Sequence, residues 1–380
     1  MEYRRELMCE TRDGQGMPNA RTIPIKQAVG TVLAHDVTEI TPGTFKGRAF
    51  KKGHIIREED ICHLQRLGKE NLFVLDIAQD EMHEDAAACV LAEALMGEGV
   101  RLSGLPKEGK INLLAGRAGL LKVNRHALRE FNMLGDVMCA TLHDNTVVRE
   151  GQIIAGTRAI PLVVKRDVIE KAVRTAGAGQ PVIAVKEMRR PKAGVVITGN
   201  EVYYGKIQDA FAPVIKKKIE EHGGEIRGVY FAPDDVSYIE ARLRELIDAG
   251  CDLLITTGGM SVDPDDITRF AIRNLGVLDI TYGAPVLPGS MVLVAHLTNS
   301  NELKKEEEGS TPITQPPSLI TVLGIPACGM YHRTTVFDLL LPRILAGERI
   351  DRNDMAELGH GGLCLHCEEC RYPVCPFGNG

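Results

Sequence analysis

The 380-residue chain predicts an α/β protein: a mostly parallel sheet with helices on both faces, preceded by a β-rich, α+β region. Three observations carry this. From Gly194 onward, short apolar runs alternate with segments whose apolar residues recur at helical spacing. Between Val100 and Val164 the runs are short and separated by Gly, Asn, Asp or Pro, the pattern of strands and turns. Finally, the apolar runs of the second half end in glycine-rich turns or carboxylates, as expected where ligands meet the carboxyl ends of parallel strands.

The residues up to about Asn19 are polar. Strand-like runs follow at 22–25, 32–37 and 72–75, with helical character at 58–67 and Gly68 suited to cap it. Residues 81–96 are Ala-rich and predict a helix stopped by Gly97. Runs at 111–114, 119–123, 137–142, 147–154 and 160–164 read as strands, with Asp144-Asn145 as a hairpin turn. His83-Glu84-Asp85, His126 and His143 have no partners in sequence that complete a catalytic set and read as surface or helix-face residues. A helix capped by Asp167 is expected over 167–176. Gly177, Gly179 and Pro181 then break the chain, placing a domain boundary at 178–192.

In the second half, strands are expected at 194–198, 225–231, 251–255, 292–297 and 319–323. Helices are expected at 209–222 (Phe211, Val214, Ile215 and Ile219 inward), at 236–249 (Ile239, Leu243, Leu246 and Ile247 inward) and at 330–345. Another follows Ile267, with Ile267, Phe270, Ala271 and Leu275 on one face. The polar stretch 298–317 reads as an exposed loop. The expected organisation is 1–80, an α+β segment; 81–180, a β-rich middle region; 190–350, the α/β domain; and 359–380, a cysteine-rich tail.

Composition narrows the function classes. Hydrophobic content of 44% and charged content of 25% are those of a globular protein, and a net charge of −6 without a basic stripe argues against nucleic acid. No apolar run is long enough to cross a bilayer and the charged first ten residues do not resemble a signal peptide, so a cytoplasmic protein is expected. Of ten cysteines, Cys9, Cys62, Cys89, Cys139, Cys251 and Cys328 are scattered and read as reduced thiols, whereas the other four crowd the last residues.

The second half centres on Thr256-Thr257-Gly258-Gly259-Met260-Ser261-Val262-Asp263-Pro264-Asp265-Asp266-Ile267-Thr268. Strand, glycine turn and helix start come in the order that cradles an anion: glycines let a phosphate approach the backbone, and a helix N-terminus offers free N–H groups. Carboxylates repel phosphate unless a divalent cation lies between, so the aspartates imply Mg²⁺, or else serve as N-caps. Three further loops meet the same sheet edge: Thr198-Gly199-Asn200-Glu201, Ala232-Pro233-Asp234-Asp235, and Gly324-Ile325-Pro326-Ala327-Cys328-Gly329. Asp234 and Asp266, arriving from separate loops, are the expected metal pair, leaving Asp263 and Asp265 as caps.

On these residues, 194–350 resembles the molybdopterin-binding domain shared by molybdopterin adenylyltransferases, molybdopterin molybdenumtransferases and gephyrin-type proteins. The resemblance rests on Thr198-Gly199-Asn200-Glu201, Pro233-Asp234-Asp235, the Thr256–Ser261 motif with Asp266 and Thr268, Pro288-Gly289, and Leu341-Pro342 with Leu345-Ala346-Gly347. More faintly, 28–37 and Gly53-His54-Ile55-Ile56 resemble the molybdenumtransferase N-terminus. The resemblance implies a molybdopterin-phosphate site with Thr198, Gly199, Glu201, Thr257, Gly258, Gly259, Ser261, Pro288 and Gly289 as binding residues, and with Asp234 and Asp266 catalytic and holding Mg²⁺. It implies a molybdenumtransferase-like enzyme of cofactor biosynthesis, taking adenylylated molybdopterin and molybdate and releasing AMP, a homo-oligomeric state, and a recipient molybdoenzyme as partner. Two other readings stay open: a non-catalytic molybdopterin carrier or sensor, and a nucleotide pyrophosphatase of the competence-damage type. Four departures bear on the choice. Ile325-Pro326-Ala327-Cys328-Gly329 stands where the family has Leu-Pro-Gly-Asn-Pro. Ser290-Met291 replaces Lys-Pro, losing a positive charge. The family's Ser-x-Met-Asp-Gly-Tyr-Ala segment has no match near 42–49, and its small C-terminal β domain is missing.

The tail carries Cys364-x2-Cys367-x2-Cys370-x4-Cys375-Pro376 after a glycine hinge. Thiols this close predict metal. The spacing is similar to the bacterial ferredoxin run with one extra residue, and a zinc site with His360 or His366 as substitute ligand fits equally.

Overall fold

A computed structural model of the chain describes residues 20–31, 33–41, 45–54, 56–75, 78–260, 266–298 and 319–378. They form two compact units: residues up to 144 with 148–186, and residues 145–147 with 187 onward.

In the first unit, Ala20–Pro24 pairs antiparallel with Asn71–Leu75, and Val37–Thr41 with Phe45–Phe50. The helix Glu58–Arg66 buries Leu64 against Leu33, Ile56 and Leu72. The run at 32–37 is not the strand its apolar residues suggest: Leu33 makes a single bridge, its N–H to the His54 carbonyl and its carbonyl to the Gly53 N–H, and the strand begins only at Val37.

The expected helix at 81–96 is shorter. Glu81–His83 is a strand paired with Val163–Lys165, and the helix spans Glu84–Leu95. His83 Nδ1 accepts the Asp85 N–H at 3.2 Å, which fixes the start. This helix buries Ala87, Ala88, Leu91, Ala92 and Leu95 under a four-stranded sheet of order Val100–Leu102, Lys110–Ala115, Ile153–Ala159 and Val137–Thr141. The run 147–154 divides between Val147–Val148 and Ile153–Ala159, and the next strand begins at Val163. Asp144-Asn145 forms a turn, but the strands flanking it pair with different partners, so it closes no hairpin; Asp144 Oδ1 accepts the Val123 N–H at 2.8 Å. A helix at Arg125–Asn132 was not evident from the sequence. Asn124 caps it by accepting the Ala127 N–H at 3.1 Å, and Phe131 anchors it in the core. The helix Arg166–Ala176 starts at Lys165, so Asp167 lies in its first turn rather than capping it.

The second unit is built on a six-stranded sheet. Its strands are β1 (Lys192–Thr198), β2 (Glu225–Ala232), β3 (Leu253–Thr257), β4 (Asp279–Tyr282), β5 (Leu293–Thr298) and β6 (Leu319–Ile325). Its helices are α1 (Asn200–Tyr203), α2 (Phe211–Glu221), α3 (Val236–Asp248), α4 (Thr268–Asn274), α5 (Val336–Leu345) and α6 (Arg352–Glu357). The strand order is β2-β1-β3-β6-β5-β4, with the first four parallel and β5 and β4 antiparallel to their neighbours. Strands β1, β3 and β6 read as near-continuous apolar runs because both faces are covered, whereas the edge strand β2 leaves alternate residues exposed. On one face Val195, Ile197 and Ile255 meet Ile215 and Ile219 of α2 and Leu340 and Ile344 of α5. On the other, Val196, Leu254 and Val322 meet Ile239, Leu243 and Leu246 of α3 and Ala271 and Ile272 of α4. Gly194 is fixed by this packing, since a Cβ there would lie 2.8 Å from Leu246 Cδ1.

Three helical details differ from the sequence reading. α4 begins at Thr268, so its buried face is Thr268, Ala271 and Ile272, with Phe270 exposed. α5 begins at Val336 and not near Met330, because Thr335 and Asp338 form a capping box in which the Thr335 N–H reaches Asp338 Oδ2 at 2.8 Å. Residues 327–330 form a 3₁₀ turn instead.

Glu84 overturns its surface assignment. Its side chain is 8% exposed and pairs with Lys52, itself 11% exposed, while Arg158 lies 3.5 Å away. Removing one partner of a buried pair leaves a charge uncompensated, so Lys52→Met is expected to destabilise the chain by about 3 kcal/mol, with Arg158 limiting the loss. Lys52→Met with Glu84→Met should recover most of it. Chemical denaturation of the three proteins checks this.

Candidate functional site

The parallel register brings four loops to one end of the sheet. Thr198 aligns with Ala232, Ile197 with Thr257, and Thr257 with Ile325, so β1, β2, β3 and β6 all deliver their carboxyl ends there. A cavity of about 430 Å³ opens at this edge. Gly258, Gly259, Met260 and Asp266 form one wall, residues 287–291 another, and Pro326, Ala327 and Cys328 a third.

The glycine turn is locked from below. Thr198 Oγ1 donates to the Thr257 carbonyl at 3.0 Å and so accepts from the Thr268 hydroxyl, also at 3.0 Å. Gly258 and Gly259 have φ of +87° and +59°, the left-handed region. A Cβ on Gly258 would lie 2.4 Å from the Thr198 carbonyl oxygen, and one on Gly259 would lie 2.3 Å from Thr268 Oγ1. The missing side chains thus let β1 and α4 close on the turn, as well as leaving its outer side bare. Met260 is buried behind the wall and its carbonyl accepts the Tyr282 hydroxyl of β4 at 2.5 Å. On the facing wall, Gly289 has φ of +120° and packs on Val336, whose N–H reaches the Pro288 carbonyl at 3.2 Å.

Of the residues expected to bind, Gly258, Gly259, Asp266, Pro288 and Gly289 line the cavity. Ser261, with Asp263 and Asp265, lies outside the described residues. Thr198, Gly199, Glu201 and Thr257 are not among the lining residues; the Thr257 hydroxyl is buried without a hydrogen-bond partner among the described residues. Asp234 ties two loops together: its Oδ2 accepts the Asn200 N–H at 3.1 Å, and its own N–H reaches Asn200 Oδ1 at 3.3 Å. Asp235 caps α3 through the Tyr238 N–H at 2.7 Å. Met260 and Leu287 were missed because neither bears polar chemistry; their places follow from the turn and the sheet. Burial pushes the Cys328 thiol upward, keeping it neutral at the cavity wall.

Mg²⁺ needs one or two carboxylates plus phosphate oxygens. Asp266, facing the cavity beside the bare glycine turn, suits that requirement. Among the described residues no three His, Cys, Asp or Glu side chains gather as a metal-holding group. No lysine or arginine is found among the described lining residues.

Residues 194–345 match a family described as a probable molybdopterin binding domain. That match covers less than half of the chain. Residues 22–76 match a second family, described as a domain of unknown function (DUF8806). A CinA-like protein of Mycobacterium avium (strain 104) is 43% identical over 93 residues, 23% of this chain and 21% of that protein. The chain therefore spans about a fifth of the length of the curated relatives it matches. Similar solved structures include a molybdopterin biosynthesis enzyme MoaB from Thermus thermophilus (19% identity, TM-score 0.28, 42% of this chain and 99% of that one). Another is a molybdenum cofactor biosynthesis protein from Pyrococcus furiosus (14% identity, TM-score 0.24, 90% of this chain and 66% of that one). Among the described residues no helix is long and apolar enough to cross a membrane.

A second, larger cavity of about 790 Å³ lies in the same unit, lined by residues 331–334 and by the tail from 363 to 377, including all four tail cysteines. The Cys370 thiol is lowered, first by the Thr334 hydroxyl and then by the Tyr372 N–H.

The Gly258 contact yields a direct test. Gly258→Ala must relax a left-handed backbone and a 2.4 Å contact at once, and is expected to cost at least about 1 kcal/mol. Thr198→Val, which removes two hydrogen bonds, should cost about 1–2 kcal/mol. Thermal and urea unfolding of each variant measures these losses.

Proposed function

We propose that the 194–345 domain binds molybdopterin, free or adenylylated, and acts in molybdenum cofactor biosynthesis. One observation carries the reading: the bare Gly258 and Gly259 turn and Asp266 face Pro288 and Gly289 across a single cavity at the carboxyl ends of parallel strands. The phosphate of the ligand would lie along the glycine turn, where no side chain stands between it and the backbone. The apolar walls from Met260, Leu287 and Met291 suit the flat pterin and its dithiolene.

The reaction we propose is release of AMP from adenylylated molybdopterin as molybdate is inserted. The bond broken is the phosphoanhydride between pterin phosphate and AMP: the oxygen of a water molecule bonds to one phosphorus as the other phosphate leaves, and the dithiolene thiols bond molybdate by displacing one of its oxygens, which takes their protons and leaves as water. Asp266 would hold Mg²⁺, and when bound there the ion would neutralise charge on the phosphate oxygens. With no lysine or arginine among the described lining residues, backbone N–H groups are left to orient those oxygens. Asp234 acts through position, holding the Asn200 loop beside the site.

A second reading, binding without turnover, is favoured by the same lack of a basic side chain; the protein would then carry molybdopterin to a recipient molybdoenzyme. The stretch shared with CinA-like proteins supports a third substrate class, a nucleotide diphosphate with the same P–O–P linkage.

Calorimetric titration with molybdopterin, followed by assay of AMP release from the adenylylated form, separates these readings. Asp266→Asn should lower AMP release by about 100-fold or more, the scale of losing one charge-stabilising group, while binding of molybdopterin and the unfolding midpoint hold. Unchanged turnover would sink the role of Asp266. Tight binding with no AMP release supports the carrier, and hydrolysis of ADP-ribose the third class.

A further inference from the structure

The tail cavity has no part in the reading of the strand-end site, yet thiols and imidazoles gather along it. Cys364, Cys367, Cys370 and Cys375 all line it, with His332 and His366, whose ring centroids are 4.7 Å apart. None of the four is part of a disulfide among the described residues. Packing alone does not explain the cluster, because Cys367 is exposed and the other three are only half-buried. Thr334 Oγ1 lies 3.4 Å from Cys370 Sγ, placing a hydroxyl against the sulfur. His366, between the first two cysteines, has φ of +51°, a strained value for a side chain of its size.

The cysteines hang on a fixed frame. Phe377 is buried, the Tyr372 hydroxyl donates to the Asp338 carbonyl at 3.1 Å, and the Gly378 N–H meets the Gly361 carbonyl at 3.0 Å, closing the tail at its base. As the chain stands, the sulfurs line the wall without three of them converging at metal distance.

Backbone hydrogen bonds link the linings of the two cavities. Both backbone groups of Leu287 are taken by the tail: its N–H by the Gly362 carbonyl at 2.8 Å, and its carbonyl by the Cys364 N–H at 2.9 Å. Leu287 also lines the strand-end cavity. A second link runs through Thr334, beside Cys370, to Val336, whose N–H holds the Pro288 carbonyl.

We propose that the four tail cysteines form a thiolate metal centre, and that filling it fixes residues 287–289, the wall of the strand-end cavity nearest the tail. Each thiol gives up its proton as its sulfur binds the metal. Drawing Cys364 and Cys370 toward a common centre pulls on the two links just described, so an ordered centre means an ordered wall. A single zinc ion and an iron–sulfur cluster share this ligand chemistry.

The test uses the full chain, purified without oxygen, and needs no molybdopterin. One sample is titrated with Co²⁺ as a spectroscopic stand-in for zinc; a second is incubated with iron and sulfide. Tetrahedral cobalt–thiolate bands displaced by one equivalent of Zn²⁺ identify the single-ion site. A visible iron–sulfur absorbance that bleaches with dithionite identifies the cluster. Cys367→Ser, at an exposed position, should fold normally and weaken metal retention at least tenfold; the fourfold serine variant should abolish it. Hydrogen exchange should slow across 284–291 on loading, with 111–123 unchanged as an internal reference. Failure of both metal arms overturns the centre. Metal binding with no change at 284–291 overturns the link to the strand-end cavity, whatever ligand that cavity takes.

Discussion

The hydrogen-bonded register of β2, β1, β3 and β6 is the constraint on which the strand-end cavity depends. A shift of one residue in β1, β3 or β6 would turn an apolar side chain from one helical layer to the other, because successive strand residues face opposite sides. With both faces buried, Val195 and Ile197 belong to the α2 and α5 layer while Val196 belongs to the α3 and α4 layer. The register that satisfies both layers also sets Thr198, Ala232, Thr257 and Ile325 at one edge. The site is thus a consequence of packing on both sides of the sheet.

At that edge a small hydroxyl network sets the shape of the glycine turn. Thr198 joins β1 to β3 through the Thr257 carbonyl and joins both to α4 through Thr268. Its bonds lie in the dry interior, where an unmade hydrogen bond is costly, so the turn is held stiffly beneath the cavity. The facing wall is held differently. Residues 287 and 288 have their backbone groups taken by the tail and by the start of α5, so this wall depends on elements far away in sequence. One wall is built into the sheet and the other is tied to a separate segment.

The first unit shows how a charged residue enters a core. Glu84 opens an Ala-rich helix, and its sequence neighbours His83 and Asp85 suggest a solvent-facing cap. His83 does act as a cap, but Glu84 turns inward because Lys52 and Arg158 arrive from distant segments to meet it. Burial of a carboxylate is tolerable only with such partners.

The sequence by itself determined most of the alternation of strands and helices in the second half, because apolar periodicity reports directly which face of an element is buried, but it missed the strand Asp279–Tyr282 and the helix Arg352–Glu357. It determined the parallel sheet, its two helical layers, and the turn of Gly258 and Gly259 with Asp266, Pro288 and Gly289 nearby. It was less informative where local signals compete. The apolar run at 32–37 lacked a partner strand, Asp144-Asn145 formed a turn whose flanking strands pair elsewhere, and the helix after Asn124 was hidden by polar residues around one buried Phe131. Only the tertiary structure decided that Asp234 accepts the Asn200 N–H, that Met260 and Leu287 wall the cavity, and that the tail cysteines share a cavity beside it. Each of these is a contact between segments far apart in the chain, and spacing along a sequence carries no record of which distant backbone will claim a carboxylate or a carbonyl.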